Sequence, residues 1–209
     1  MWISNRHSLS RGVAWVLLLL AGCGMAEGDE DDRNRRDYLT FSDSSFMAYC
    51  LETYDLNGDG RFSRYEAERV VEIDCSGREI ASLDELDDFV HLRRLDCSDN
   101  AIQRLDLRAC DELESISCQD NELTQLEVDE LRSLESLNCA NNALQRLDLA
   151  SNGSLRQLDA RANAFTTLDL SLCSGSLQAD VRGNAQLATL YYRAGQQIAY
   201  ESPTVLVMR

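Results

Sequence analysis

Apolar residues in the second half of the chain recur at a fixed interval of 21. Four segments align without gaps: 92–112, 113–133, 134–154 and 155–175. In each, positions 1, 4, 6, 11, 14 and 16 are apolar or cysteine, and position 9 is asparagine. Alternation at positions 4 and 6, as in Leu95 and Cys97, puts side chains on one face of a short strand. Positions 11, 14 and 16, as in Ile102, Leu105 and Leu107, fill the other wall of a coil. One such coil cannot bury its own leucines, so neighbours stack and share a core. The pattern predicts a solenoid of short parallel strands with a mostly non-helical convex side over residues 92–197. Residues 70–91 read as its first cap, with Ile73 and Cys75 at the strand positions. The repeat degrades after Ala179. Leu190, Tyr192 and the run from Thr204 to Val207 then point to a closing cap, assigned to 198–209. About six coils at roughly 4.8 Å each give a rod of about 29 Å.

The pattern changes ahead of the coils. Met47, Cys50, Leu51 and Tyr54 recur at helical spacing, and Val70 and Ile73 do so further on. Between them, residues 55–66 read DLNGDGRFSRYE. This segment resembles an EF-hand loop, with Asp55, Asn57, Asp59, Ser63 and Glu66 at oxygen-donor positions and Gly60 at the sharp turn. Calcium takes six to eight hard oxygens, which these side chains and the Arg61 carbonyl would supply. The resemblance implies a helix-loop-helix segment over 45–69 with Phe62 at an apolar position between paired loops. No second loop of this kind occurs in the sequence. A lone extracellular site belongs near the weak end of affinity, roughly 10⁻⁴–10⁻³ M, and suits a structural ion rather than a sensor.

The first residues carry an address. Arg6 and Arg11 precede an apolar run from Val13 to Leu20 that is too short to span a bilayer, which needs about 20 apolar residues. Leu20-Ala21-Gly22-Cys23 matches the lipobox of bacterial lipoproteins. The resemblance implies that residues 1–22 are removed as a signal peptide and that Cys23 is acylated, anchoring the chain in a membrane. Gly24 after the cysteine favours the outer membrane, facing either the periplasm or the cell exterior. Residues 23–44 read as an acidic tether, whose cluster Glu27, Asp29, Glu30, Asp31 and Asp32 resembles the surface-export tags of some Bacteroidetes lipoproteins.

Charge narrows the partners. The chain has 36 acidic and 20 basic residues, every one of the latter an arginine, for a net charge of −16. Such a chain repels phosphate backbones and anionic lipid headgroups, which excludes nucleic acid and a polybasic membrane grip. Eight cysteines in an exported chain raise the question of disulfides. Cys75, Cys97, Cys118 and Cys139 take one inward position on successive coils, where free cysteine serves as a small hydrophobe. Their column would span about 14 Å, too long for one zinc ion that must touch each sulfur at about 2.3 Å. The sequence leaves open what Cys50, Cys110 and Cys173 do.

Leu92, Leu113, Leu134 and Leu155 at the head of each unit, with Asn100, Asn121, Asn142, Asn163 and Asn184 spaced by 21, resemble the leucine-rich-repeat family. The resemblance is closest to its short, cysteine-containing form in bacterial envelope proteins and covers residues 46 to 209. It implies asparagines bonded to the backbone of the adjacent coil, and binding without catalysis. The candidate binding face comprises Asp96, Asp99, Gln119, Asp120, Asn138, Asn141, Asp159 and Arg161, recognising a protein or glycan as a monomer. A structural or scaffold role in the envelope, with no external ligand, is the alternative. A second acidic column, Asp106, Glu127, Asp148 and Asp169, has Arg104 and Arg146 two residues before two of its members. An enzyme has little to work with: outside the leader His91 is the only histidine, and no nucleophile, base or cofactor motif stands beside it.

Overall fold

The computed structural model describes residues 37–201 and 203–209. The signal peptide, Cys23 and most of the tether lie outside the described residues.

The first element is helix α1, Ser44–Tyr54. Asp43 starts it: in extended conformation, its carboxylate accepts the amides of Ser45 and Phe46 at 2.8 and 2.9 Å. These are two of the four donors that a helix start leaves unpaired. Phe46, Tyr49 and Cys50 fall on one face and are buried. After the acidic loop comes a single turn of helix, α2, Arg64–Ala67, closed by a capping box between Ser63 and Glu66. The helical spacing of Val70 and Ile73 therefore misleads. Val70 lies beyond the helix, and Ile73 is the inward residue of the first strand, β1, Glu72–Asp74. A β-branched run, Val70, Val71 and Ile73, suits a pleated strand with a neighbour to pair better than it suits a helix.

From β1 onward the chain winds as a parallel solenoid. One wall is a seven-stranded sheet: β1, β2 (Arg94–Asp96), β4 (Ser115–Ser117), β6 (Ser136–Asn138), β7 (Gln157–Asp159), β9 (Gln178–Asp180) and β11 (Gln197–Ala199), in that spatial order. Every pairing is parallel, and the register sets Ile73, Leu95, Ile116, Leu137, Leu158, Ala179 and Ile198 side by side. The opposite wall is partly strand. It holds the pair β3 (Arg104–Asp106) and β5 (Gln125–Glu127), and a trio of β8 (Thr167–Asp169), β10 (Thr189–Tyr192) and β12 (Val205–Met208). Between the two groups, Gln145–Asp148 of the third coil form no strand. The segment expected to close the solenoid thus divides between walls: β11 extends the first sheet and β12 the second.

One continuous core runs from Phe46 to Leu190. Each fully buried leucine or phenylalanine contributes about 1.5–3 kcal/mol. The asparagines hold the coils at their tightest turn. Asn121 Nδ2 donates to the Cys97 carbonyl of the preceding coil at 2.9 Å and to Cys118 at 3.2 Å, while its Oδ1 accepts the Ile102 amide at 3.0 Å. Asn100, Asn142, Asn163 and Asn184 repeat this bonding. A buried turn needs its amides and carbonyls paired, and one side chain here serves two coils.

All seven cysteines among the described residues are buried and free. Burial pushes the thiols of Cys75, Cys110, Cys139 and Cys173 up to about 12, and those of Cys97 and Cys118 well above the ordinary range. Such thiols pack as small hydrophobes and are poor nucleophiles. Among the described residues no helix is long and apolar enough to cross a membrane.

Candidate binding face and candidate calcium loop

The outward positions of the seven-stranded sheet form ordered columns. The outward residues of the central strands β4 and β6 are Ser115, Ser117, Ser136 and Asn138, with Gln119 just past β4 and the buried Ala140 just past β6. This centre is small and uncharged. Charge gathers on either side. Toward the first coil, Arg94 pairs with Glu72 at 2.8 Å, and Asp96 accepts both the amide and the hydroxyl of Ser98. Toward the last coils, Arg161 pairs with Asp159 at 2.7 Å and Arg182 with Asp180 at 2.5 Å, with Arg161 also 4.0 Å from Asp180. Sequence reading named Asp159 and Arg161 as face residues and named neither Asp180 nor Arg182.

Five of the eight proposed face residues therefore share one surface: Asp96, Gln119, Asn138, Asp159 and Arg161. Asp99, Asp120 and Asn141 occupy a different setting. They sit in the turn that leaves each strand, with φ of +55°, +56° and +55°. Asp and Asn tolerate the left-handed region better than most residues, so the backbone accounts for their type. The same position holds Ala162 and then Gly183, where a side chain would meet the Ala162 amide at 3.1 Å. Asn141 also donates to Asp120 Oδ1 at 2.8 Å, linking two turns.

The acidic column of the opposite wall is relieved differently from the sequence expectation. Asp106 is gripped by Arg108 rather than Arg104: its Oδ1 accepts the Arg108 amide at 3.2 Å and Nε at 2.9 Å, and its Oδ2 lies 2.6 Å from the guanidinium. Asp159 with Arg161 and Asp180 with Arg182 repeat this arrangement. Asp-x-Arg at the end of a strand is the signal, because the bend there turns the second side chain back onto the first. Asp169 is held by Arg209 at 2.6 Å. His91 is exposed and bonds Glu112 through Nδ1 at 2.9 Å.

The acidic loop is wrapped around its own amides. Asp55 accepts Gly58 at 2.8 Å and Gly60 at 3.0 Å, Asn57 accepts Asp59 at 2.9 Å, and Asp59 accepts Arg61 at 2.8 Å. Gly58 and Gly60 both have positive φ, which the tight path requires. Glu66 is buried, with Oε1 accepting the Leu56 amide at 2.9 Å and Oε2 accepting the Ser63 amide and hydroxyl at 2.8 Å. The loop lacks a second loop but not a partner: Tyr38 bridges Ser63 antiparallel, and the Leu39 amide donates to the Phe62 carbonyl at 2.8 Å. Phe62 is buried against Phe89, ring centroids 5.9 Å apart. The donor set is all oxygen, which fits a hard cation in chemistry. Its geometry is not yet that of a site, since among the described residues no three carboxylates, imidazoles or thiolates converge to hold a metal.

No protein-family model matches the sequence, and a search of curated proteins finds no match. Solved structures do match. The functional domain of InlJ from Listeria monocytogenes, described as including a cysteine ladder, is 26% identical with a TM-score of 0.64, over 76% of this chain and 37% of that one. An internalin, InlF, from the same organism is 17% identical with a TM-score of 0.57, over 76% of this chain and 51% of that one. The chain thus spans between about a third and a half of the length of these structures. Its repeats of 21 residues, its stacked parallel strands and its column of buried thiols make it an internalin-like leucine-rich-repeat solenoid in fold.

Proposed function

We propose that this chain is a lipid-anchored, non-catalytic binding protein of the bacterial envelope, which recognises a protein or glycan through its seven-stranded face. The observation that carries the reading is the composition of that face. Small uncharged residues on β4 and β6 leave room for a protruding loop or sugar, and the ion pairs of Glu72–Arg94 and Asp159–Arg161 flank it with both signs of charge. Central contacts on a rigid sheet give affinity, and flanking charges give register. The test is site-specific photocrosslinking in whole cells, with the probe at Asn138 and, as a control, at Gln125 on the opposite wall. Adducts formed from Asn138 alone are the expected result. Equal labelling from both positions, or none from either, defeats the proposal.

Two further parts of the proposal rest on sequence motifs. Acylation of Cys23 would hold the chain in the outer membrane, and Cys23→Ser would then abolish incorporation of labelled palmitate and release the chain. A calcium ion would be held by Asp55, Asn57, Asp59, the Arg61 carbonyl, Ser63 and Glu66, stiffening the start of the solenoid. Glu66 would have to exchange amide bonds for the ion, consistent with weak binding. A thermal melt unchanged between calcium and chelator would refute that part.

A further inference from the structure

One inward column of the coils runs through Cys110, Leu131, Asn152 and Cys173, spaced by 21 and all buried. Three of the four are apolar in character. Asn152 is not, and it is 0% exposed. Its Nδ2 donates to two carbonyls of the preceding coil, Val128 at 2.9 Å and Leu131 at 2.8 Å. Among the described residues its Oδ1 has no hydrogen-bond partner. The backbone is held as well: the Asn152 amide donates to the Leu149 carbonyl at 3.1 Å, and its carbonyl accepts the Leu155 amide at 3.0 Å. The side chain staples the third coil to the second, just past Gln145–Asp148, where the opposite wall has no strand.

The next residue is Gly153. An Asn-Gly pair is chemically labile, because a nitrogen whose own residue has no Cβ reaches the asparagine Cγ unhindered. The sequence holds one other such pair, Asn57–Gly58, which lies exposed in the acidic loop. At Asn152 the reactive side-chain amide is instead sealed into the core.

We propose that Asn152–Gly153 is a deamidation site closed by the fold, so that time spent unfolded is recorded at Asn152 and costs the chain its refolding. In the open chain the Gly153 nitrogen loses its proton to base and attacks Asn152 Cγ. The N–Cγ bond forms, the Cγ–Nδ2 bond breaks, and Nδ2 leaves as ammonia after taking up one proton. Water then opens the succinimide ring at either carbonyl, giving aspartate or isoaspartate; nothing is oxidised or reduced. In the folded chain Nδ2 is tied to two carbonyls, so the amide cannot turn onto the Gly153 nitrogen without breaking both bonds, and no water reaches it. The product cannot resume the same place. A carboxylate there would set acceptors against the Val128 and Leu131 carbonyls in a buried site, and isoaspartate would add a carbon to the backbone of the turn. The site depends on neither the binding face nor the calcium loop.

The test ages the full chain in mildly alkaline urea with reductant, and in the same buffer without urea. Peptide mapping by mass spectrometry then reads conversion at Asn152 and Asn57 separately. In urea both should convert. Without urea, conversion at Asn152 should be slower by roughly a thousandfold or more, following the small unfolded fraction. Conversion of the folded chain within about tenfold of the urea rate overturns the proposal. After dilution of the aged sample, folded and unfolded fractions are separated by size and mapped. Modification at Asn152 should be confined to the unfolded fraction, whereas modification at Asn57 serves as the internal reference. Equal modification at Asn152 in both fractions overturns the proposal. Gly153→Ala should preserve the refolded yield through ageing, because its methyl hinders the attack. The fold accepts it: Gly153 is outside the left-handed region, and a Cβ there would lie 3.8 Å from the Leu172 carbonyl oxygen, an ordinary contact. Asn152→Asp places the product's carboxylate directly and should lower the melting temperature; a melt equal to that of the unaltered chain would overturn the refolding claim.

Discussion

The two ends of the solenoid solve the same problem in opposite ways. A stack of coils leaves apolar side chains exposed at each terminus. At the first end, α1 lies over the stack, and Phe46, Tyr49, Phe62 and Phe89 form a buried aromatic cluster with ring centroids 5.9–6.4 Å apart. Polar bonds lock this lid in place. Asp43 accepts the Ala81 amide at 2.8 Å as well as the helix amides, and the Glu85 carboxylate accepts the amide of Ser42. Beside β11 and β12, among the described residues, the corresponding cover is not a helix: the last coils meet only strands and turns.

That contrast should break first in the core. Phe46→Ala should cost about 3–5 kcal/mol, the usual range for emptying a buried aromatic site. Leu206→Ala, already partly in water, should cost less than about 1 kcal/mol. Urea titrations of the two variants compare them directly; equal losses would mean that the two regions are packed alike. Between the ends, Asn121→Ala should cost about 2–3 kcal/mol, because the Cys97 and Cys118 carbonyls and the Ile102 amide lose their partner at once. A midpoint within error of the natural chain would show that water takes over the asparagine's bonds.

The lid should also respond to acid. Burial acts to raise the Asp43 carboxyl, but the amides of Ala81, Phe46, Ser45 and Ser82 outweigh it and hold the group below the usual carboxylate range. A depressed folded value favours folding above the unfolded one, near 3.9, and that stability disappears as pH falls through the folded value. Asp43→Ala should therefore cost about 1–2 kcal/mol at neutral pH and flatten the acid limb of the stability curve. An acid limb unchanged by the substitution would move the effect to other carboxylates.

Alkali should act on the coils that carry the ladder. Cys75, Cys97, Cys118 and Cys139 lie toward the first end, whereas Ala160 and Val181 take their position toward the last. Their folded values are raised, so stability is complete below the unfolded thiol value of about 8.5 and declines above it. For Cys75 and Cys139 the decline is about 1.4 kcal/mol per pH unit up to about 12, and Cys97 and Cys118 act in the same direction. Hydrogen exchange at pH 10 should open the first coils earlier relative to the last, and Cys118→Ala should reduce the difference. Uniform opening along the stack would exclude this account.

Most of the solenoid could be read from the chain because each coil position demands one kind of side chain. Leu92, Cys97 and Asn100 recur at 21 because stacking imposes the same surroundings on every coil. Ile73 shows where such reading fails: its spacing from Val70 suits a helix, and only the neighbouring β2 made it a strand. Asp106 shows another limit. Arg104 and Arg108 are both two residues away, and the bend at the strand end decided between them. Of the proposed face, Asp99, Asp120 and Asn141 could be singled out as polar and periodic, but their positive φ values belong to the folded backbone.

The sequence by itself determined the coil length, the inward columns, the asparagine spacing and the position of the acidic loop, since these follow from local periodicity and from residue types with few uses. Only the tertiary structure decided how the stack is closed. It brought Tyr38 to Ser63, laid α1 over the first coil and divided β11 and β12 between the two walls. Each depends on contacts between segments distant in the chain, where no local pattern records which surface is covered.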